Sequence, residues 1–263
     1  VRILFYGDIV GKVGRIAVHL SLPRLVEKYD VDFVIANGEN ASHGKGLTES
    51  HYRYLIDSGV DCITLGNHWH SKQEVDDYLD DADDLVRPLN ILNYHHGSGS
   101  ASYGVDGVEV RVTNVLGVFA MEETVRSPFE AMDELLKAED HPAIHIVDYH
   151  ADSTSEKAIF GYVYDGKVSA VLGTHTHVQT ADAKILPNGT AFMSDVGMCG
   201  DPTGVIGFEK NSVIDKIVYG HKGAFGLDDH APMMVNAILM DFDETTGHCL
   251  KVTPINEIVE EGK

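Results

Sequence analysis

The sequence has no run approaching the ~20 consecutive apolar residues that cross a bilayer, so no membrane-spanning helix and no membrane partner are expected. It is also poor in cations. Only 20 Lys and Arg stand against 41 Asp and Glu, a formal net charge of −21. Such a surface repels polyanions, and non-specific nucleic-acid binding is not expected. Cysteine is scarce: Cys62, Cys199 and Cys249 are odd in number and far apart, which implies no disulfide framework. Cys62 lies in a strand-like run, Asp61 to Leu65, and is expected to be buried. Cys199, in a Gly-rich loop, is a candidate neighbour of the site. The opening runs straight into the apolar Ile3-Leu4-Phe5-Tyr6, without the basic start and cleavage site of a signal peptide, and a cytoplasmic protein is expected. Repeats and low-complexity linkers are missing too. Gly97-Ser98-Gly99-Ser100 is the one flexible-looking stretch. A single domain over residues 1–263 is the simplest reading of a chain long enough to bury a real core.

What is present is an alternation of strands and helices. Apolar runs at 2–6, 32–36 and 61–65 read as strands. Between them, Ile16, Leu20, Leu22, Leu25 and Val26 fall at roughly helical spacing over 15–29. Thr48 can cap a helix reaching about Ser58. Ser71 with Glu74 predicts a capping box on a helix over 72–79. This order implies a parallel sheet with right-handed crossovers. Further strands are expected at 107–119, 143–148, 168–173 and 190–194, with helices from Pro128 to about Lys137 and over 154–161. Residues 233–242 and 249–255 read as a closing antiparallel pair. The acidic run Asp76, Asp77, Asp80, Asp81, Asp83 and Asp84 reads as a solvated face.

Each clear strand ends in a group that can bind metal. The ends are Gly7-Asp8, Asn37-Gly38-Glu39-Asn40, Gly66-Asn67-His68, Asp148-Tyr149-His150 and Gly173-Thr174-His175-Thr176-His177. In open α/β sheets ligands bind beyond the carboxyl ends of strands, so five such ends on one edge build a shared pocket. Taken singly, Asp8 can cap a turn, Asn can be a turn residue and a lone His is more often structural. His175-x-His177 is stronger, because two side chains in an extended segment share a face and imidazole is a common ligand. The set mixes His nitrogen with Asp, Glu and Asn oxygen and contains no thiolate, which suits Fe, Mn or Zn. Seven groups are too many for one tetrahedral site and fit two ions sharing a carboxylate.

These motifs, with Gly7-Asp8-Ile9-Val10-Gly11, Gly14-Arg15, Gln179-Thr180-Ala181-Asp182 and Ser194-Asp195-Val196-Gly197-Met198, resemble the YmdB-like branch of the calcineurin-like metallophosphoesterases over almost the whole chain. The resemblance implies an α/β fold, a four-layer α/β/β/α sandwich with a dinuclear metal site at the strand ends. It also implies phosphodiesterase activity, with 2′,3′-cyclic nucleotides such as 2′,3′-cyclic AMP among the substrates. By position, Asp8, Glu39, Asn40 and His177 look like ligands of one ion. Glu39 as bridge, Asn67, His150 and His175 look like ligands of the other. His68 resembles the family's catalytic histidine. Most of the wider superfamily has Asp-x-His at the first motif, where this chain has Asp8-Ile9-Val10. Val10 cannot bind metal, and Asn40 is expected to take up the vacancy.

The expected mechanism is attack by a metal-bridging hydroxide, with His68 as general acid. Lys12, Arg15 and the amides after Gly11 are candidates to add positive character to the pocket. The loops Ser42–Gly46 and Gly197–Gly207 are candidate walls. The expected partner is a small phosphorylated substrate, a nucleotide by the resemblance, and a homo-oligomer is compatible with such a family. Two other functions fit parts of the pattern. Gly7-x₃-Gly11-x₂-Gly14 with Glu39 suits a dinucleotide-binding oxidoreductase, but leaves Asn67, His68, His150, His175 and His177 without a role. A regulatory metal-binding protein acting through partners is the other.

Overall fold

The computed structural model describes residues 1–138 and 141–260. Strand β1 (Arg2–Tyr6) and the two-residue β2 (Asp8–Ile9) lead into α1 (Gly11–Tyr29). Then come β3 (Phe33–Asn37), α2 (Glu49–Asp57), β4 (Cys62–Thr64), α3 (Val75–Tyr78) and β5 (Leu85–Val86). The second half runs β6 (Ser100–Val105), β7 (Val108–Leu116), α4 (Pro128–Ala138), β8 (Ile144–His150), α5 (Thr154–Val163), β9 (Ala170–Thr174), β10 (Lys184–Ile185) and β11 (Ala191–Met193). It closes with β12 (Met198–Cys199), α6 (Lys210–Ile217), β13 (Met233–Phe242) and β14 (Cys249–Val259).

Two six-stranded mixed sheets form, ordered β14-β13-β1-β3-β4-β5 and β10-β11-β9-β8-β7-β6. β1, β3, β4 and β5 run parallel in the first, as do β7, β8, β9 and β11 in the second. The closing pair is antiparallel, and β13 lies beside β1.

Alternation along the strands produces the layers. In β1, Ile3 and Phe5 enter a core between the sheets, where Ile35 and Cys62 meet Val110, Val112, Ile144, Ile146 and Leu172. Leu4 and Tyr6 point the other way, against Val18, Leu22 and Leu25 of α1. On the far side, Val147 and Tyr149 of β8 pack against Met132 and Leu135 of α4 and Phe160 of α5. The order is helix, sheet, sheet, helix, as the resemblance implies. No helix among the described residues is long and apolar enough to cross a membrane.

Several local expectations are corrected. Helix α1 starts at Gly11, with φ of 60°, because the Gly-rich stretch packs tightly: a side chain on Gly14 would strike the Cys199 carbonyl. The capping box over 72–79 does not form. Glu74 instead accepts from the Glu49 amide at 2.9 Å, serving the first turn of α2, and only the short α3 follows. Thr48 does cap α2, accepting from the His51 amide. The Gly97–Ser100 stretch is not slack: Ser98 bridges to Val86, and Ser100 begins β6.

Candidate metal centre

The five strand ends meet at one edge of the sandwich. Asp8 begins β2, and β12 pairs with it, holding Asp8 opposite Met198. Glu39 and Asn40 follow β3, Asn67 and His68 follow β4, His150 ends β8, and His175 and His177 follow β9. Asp8, Glu39, Asn40, His150 and His177 are buried, and the His68 side chain is about one quarter exposed, at 26%.

Three electronegative atoms surround His150 Nε2: Asn67 Oδ1 at 2.9 Å, His175 Nδ1 at 3.1 Å and Glu39 Oε1 at 3.3 Å. The tautomer of His150 follows from its other nitrogen. The Thr174 hydroxyl donates to Asp148 at 2.6 Å, so towards His150 Nδ1, 2.8 Å away, it can only accept. Nδ1 therefore carries a proton, and Nε2 is the atom turned to the cluster. Asp148 is itself fixed by Asn37 at 2.9 Å and Thr64 at 2.5 Å.

The second half of the centre is built alike. His177 donates Nδ1–H to the Ile206 carbonyl at 2.8 Å, which leaves Nε2 facing Asn40 at 3.1 Å and Asp8 Oδ1 at 3.8 Å. The Asn40 amide donates to Glu39 Oε1 at 2.8 Å, and Asn40 Oδ1 lies 2.8 Å from His68 Nδ1. The His68 amide donates to Glu39 Oε2 at 2.9 Å.

The donors and charges suit a cation. Asp8 Oδ1 is buried with no hydrogen-bond partner, which is costly for a carboxylate in a protein interior. Burial pushes the Asp8 carboxyl up to about 6, against the pull of His177 and His150. Burial would also raise Glu39, but His150 and His68 beside it hold its carboxyl well below the usual range. Burial would lower His150, but Glu39 outweighs it and raises the imidazole to about 9. Burial and the neighbouring His150 push His175 down to about 3. His150 is thus cationic and His175 neutral beside two buried carboxylates, Asp8 and Glu39, an imbalance that a metal ion would relieve. Among the described residues, Glu39, His150 and His175 each offer one ligand atom, all within 4.8 Å of one another, and can hold a metal ion.

The structure therefore brings together Asp8, Glu39, Asn40, Asn67, His68, His150, His175 and His177. One premise needs correction. His175 and His177 do not continue an extended strand: their φ angles are 101° and 66° in a turn after Thr174. Their rings diverge, His175 towards His150 and His177 towards Asn40.

The supplementary cations are also corrected. Arg15 donates to the Ala41 carbonyl, Lys12 sits 3.9 Å from Asp229, and the Gly11 amide is taken by the Asn40 carbonyl at 3.0 Å. The glycines that suggested a dinucleotide site serve packing: a side chain on Gly7 would strike the Gly197 carbonyl. Cys199 is buried in the core between β1 and α1, with its thiol pushed up to about 12 by burial, which makes it a poor nucleophile. Of the candidate walls, the 197–207 loop reaches the centre through Ile206. The Ser42–Gly46 loop is pinned by Ser42, which contacts His51 at 2.7 Å and accepts from the Thr48 amide at 2.8 Å.

Sequence reasoning missed the supports. Asp195 accepts from the Thr176 amide at 3.0 Å and from Lys157 at 2.8 Å, both side chains fully enclosed. Glu123 accepts from Asn67 Nδ2 at 3.3 Å. The Asp195 motif was visible as Ser194-Asp195-Val196-Gly197; Glu123 carries no such signal.

Comparison with known proteins agrees with this fold. Residues 4–255 match the family described as YmdB-like protein. The 2′,3′-cyclic-nucleotide 2′-phosphodiesterase of Bacillus subtilis (strain 168) is 42% identical over 255 residues, 97% of this chain and 96% of that protein. A crystal structure of a hypothetical protein from Thermus thermophilus is 38% identical with a TM-score of 0.91, covering 98% of this chain and 99% of its own. A novel phosphatase from Mycoplasma pneumoniae is 37% identical with a TM-score of 0.92, covering 98% and 93%.

Proposed function

This chain belongs to the YmdB-like branch of the calcineurin-like metallophosphoesterases, and from that premise we propose that it is a metal-dependent phosphodiesterase hydrolysing 2′,3′-cyclic nucleotides such as 2′,3′-cyclic AMP. The observation that carries this reading is the buried cluster of Asn67, His175 and Glu39 around His150 Nε2. The relative from B. subtilis, by its name, acts on the same class of substrate.

Two ions are proposed, of Fe or Mn, with Zn as the alternative. Asp8, Glu39, Asn40 and His177 would hold one; Glu39, Asn67, His150 and His175 would hold the other. When bound, such a pair supplies charge for the phosphoryl oxygens and lowers the pKa of a water towards neutrality. The chain's own residues do the rest. His150 and His177 keep their ligand nitrogens turned inward through Thr174 and Ile206. His68 engages Asn40 through Nδ1, which leaves Nε2 to meet the leaving oxygen and to donate there when the ring carries its proton on Nε2. Because the ligands come from both sheets, residues 1–263 are proposed to act as one domain. Three free cysteines support work in the reducing cytoplasm.

The test is hydrolysis of bis(p-nitrophenyl) phosphate and of 2′,3′-cyclic AMP with added Mn²⁺, and after chelation. Turnover that needs metal is expected. His68→Ala should keep its metal content and lose ~10²–10⁴-fold in turnover, the usual size of general-acid catalysis. Absence of turnover with Mn²⁺, Fe²⁺ and Zn²⁺ alike would sink the proposal; loss of metal in His68→Ala would make His68 a ligand instead.

A further inference from the structure

The loop between β7 and α4 is built to deliver one side chain to the metal centre. Asn90, fully buried, staples both of its ends. Its amide donates to the Leu116 carbonyl at 2.9 Å and the Arg126 carbonyl at 3.0 Å, and its Oδ1 accepts from the Leu116 amide at 2.9 Å. Glu156 of α5 holds the loop's first residues, accepting from the amides of Val118 at 2.9 Å and Phe119 at 3.2 Å. Further along the same loop stands Glu123, whose Oε1 accepts from Asn67 Nδ2.

A side-chain amide has one donor end and one acceptor end. A carboxylate can only accept, so Glu123 draws Nδ2 outward and leaves Oδ1 towards His150 Nε2. Reversed, the amide would turn its donor end against Glu39, His150 and His175 and disfavour a cation. The second observation concerns the other oxygen. Glu123 Oε2 is buried without a hydrogen-bond partner, and among the described residues the one other carboxylate oxygen in that state is Asp8 Oδ1, inside the metal centre. A buried carboxylate left so is tolerated beside a cation.

We infer that Glu123 is a positioning residue of the metal centre, which fixes the Asn67 amide with its oxygen turned to the ion. This rests on the metal-centre reading above. Groups that orient ligands from outside typically change metal affinity ~10–100-fold when removed.

The experiment is Mn²⁺ titration of the metal-free full chain by calorimetry and chelator competition. Glu123→Ala should weaken one Mn²⁺ ~10–100-fold, while the melting of the metal-free protein stays as in the parent. Glu123→Gln, which still presents an oxygen to Asn67, should restore most of the affinity. The decisive arm is the Asn67→Asp background. A carboxylate at position 67 has no wrong end, so adding Glu123→Ala there should cost nothing. Equal losses from Glu123→Ala with and without Asn67→Asp would overturn the inference, as would parental affinity in Glu123→Ala. No Mn²⁺ uptake by the parent chain would instead overturn the metal reading itself, and this inference with it.

Discussion

Asn40 offers Nδ2 to Glu39 and His177 and Oδ1 to His68, the arrangement a centre adopts when an amide proton does part of a cation's work. As a ligand Asn40 must present Oδ1 instead. Turned over, its Nδ2 donates to His68 Nδ1, and the neutral ring then keeps its proton on Nε2, the atom proposed to protonate the leaving oxygen. Loading with diamagnetic Zn²⁺ should therefore move His68 to the Nε2–H tautomer in nitrogen–proton correlation spectra. An unchanged tautomer at full Zn²⁺ occupancy would remove Asn40 from the ligand set. With Asn40 as a ligand, Val10 in place of the histidine common in the superfamily would thus have a consequence at a neighbouring residue, through one amide.

At the scale of elements, the turn after β9 is the costly one. His175 and His177 both adopt positive φ, a conformation that side-chain-bearing residues adopt rarely and hold only when surroundings enforce it. The enforcement comes from Asp8, which accepts from the His175 amide at 3.1 Å, and from Asp195, which accepts from the Thr176 amide and is paired with Lys157 of α5. Lys157→Met would leave Asp195 as an uncompensated buried charge. A loss of about 3–5 kcal/mol is expected in denaturant unfolding of the metal-free protein. A loss under about 1 kcal/mol, the size of an exposed ion pair, would show that the amides alone suffice.

The same scale shows what was legible. Strands with apolar runs, and the polar groups at their ends, could be read because periodicity marks the one and position the other. The turn geometry of His175 and His177 could not, since positive φ is imposed by partners distant in sequence. Helix α6 escaped because it spans only eight residues and buries none of them: Val213, Ile214 and Ile217 make too short an apolar stripe to mark a helix. Strands β10 and β12 have two residues each, too few for any period. Glu123 was illegible for a further reason: its proposed role lies in one contact, with Asn67, 56 positions away in the chain.

For the molecule as a whole, acid should act away from the metal centre as well as in it. His145, at the opposite end of β8 from the metal edge, is buried, with Nε2 2.8 Å from Thr113 and Nδ1 without a partner. Burial, then Arg111 and His141, push its imidazole from 6.5 down to about 3. The folded state therefore holds it neutral while the unfolded chain takes up a proton. The stability this represents is complete above about pH 6.5 and is lost as pH falls from there towards 3. His145→Gln should flatten that part of the acid limb in denaturation midpoints taken at pH 7, 5 and 4. Parallel acid limbs in the two proteins would count against it.

One pairing also sets an order of events. β1 lies inside its sheet, between β3 and β13, and Arg2 stands opposite Asp241 across a separation of 239 residues. A chain emerging residue by residue from a ribosome can join β1 to β3 early, yet one edge of β1 stays open until β13 is made. The proposed metal ligands, the last of them His177, are all synthesised before that edge closes. Nascent protein therefore carries all the proposed ligands on an unfinished sheet, with an unpaired strand edge open to other chains.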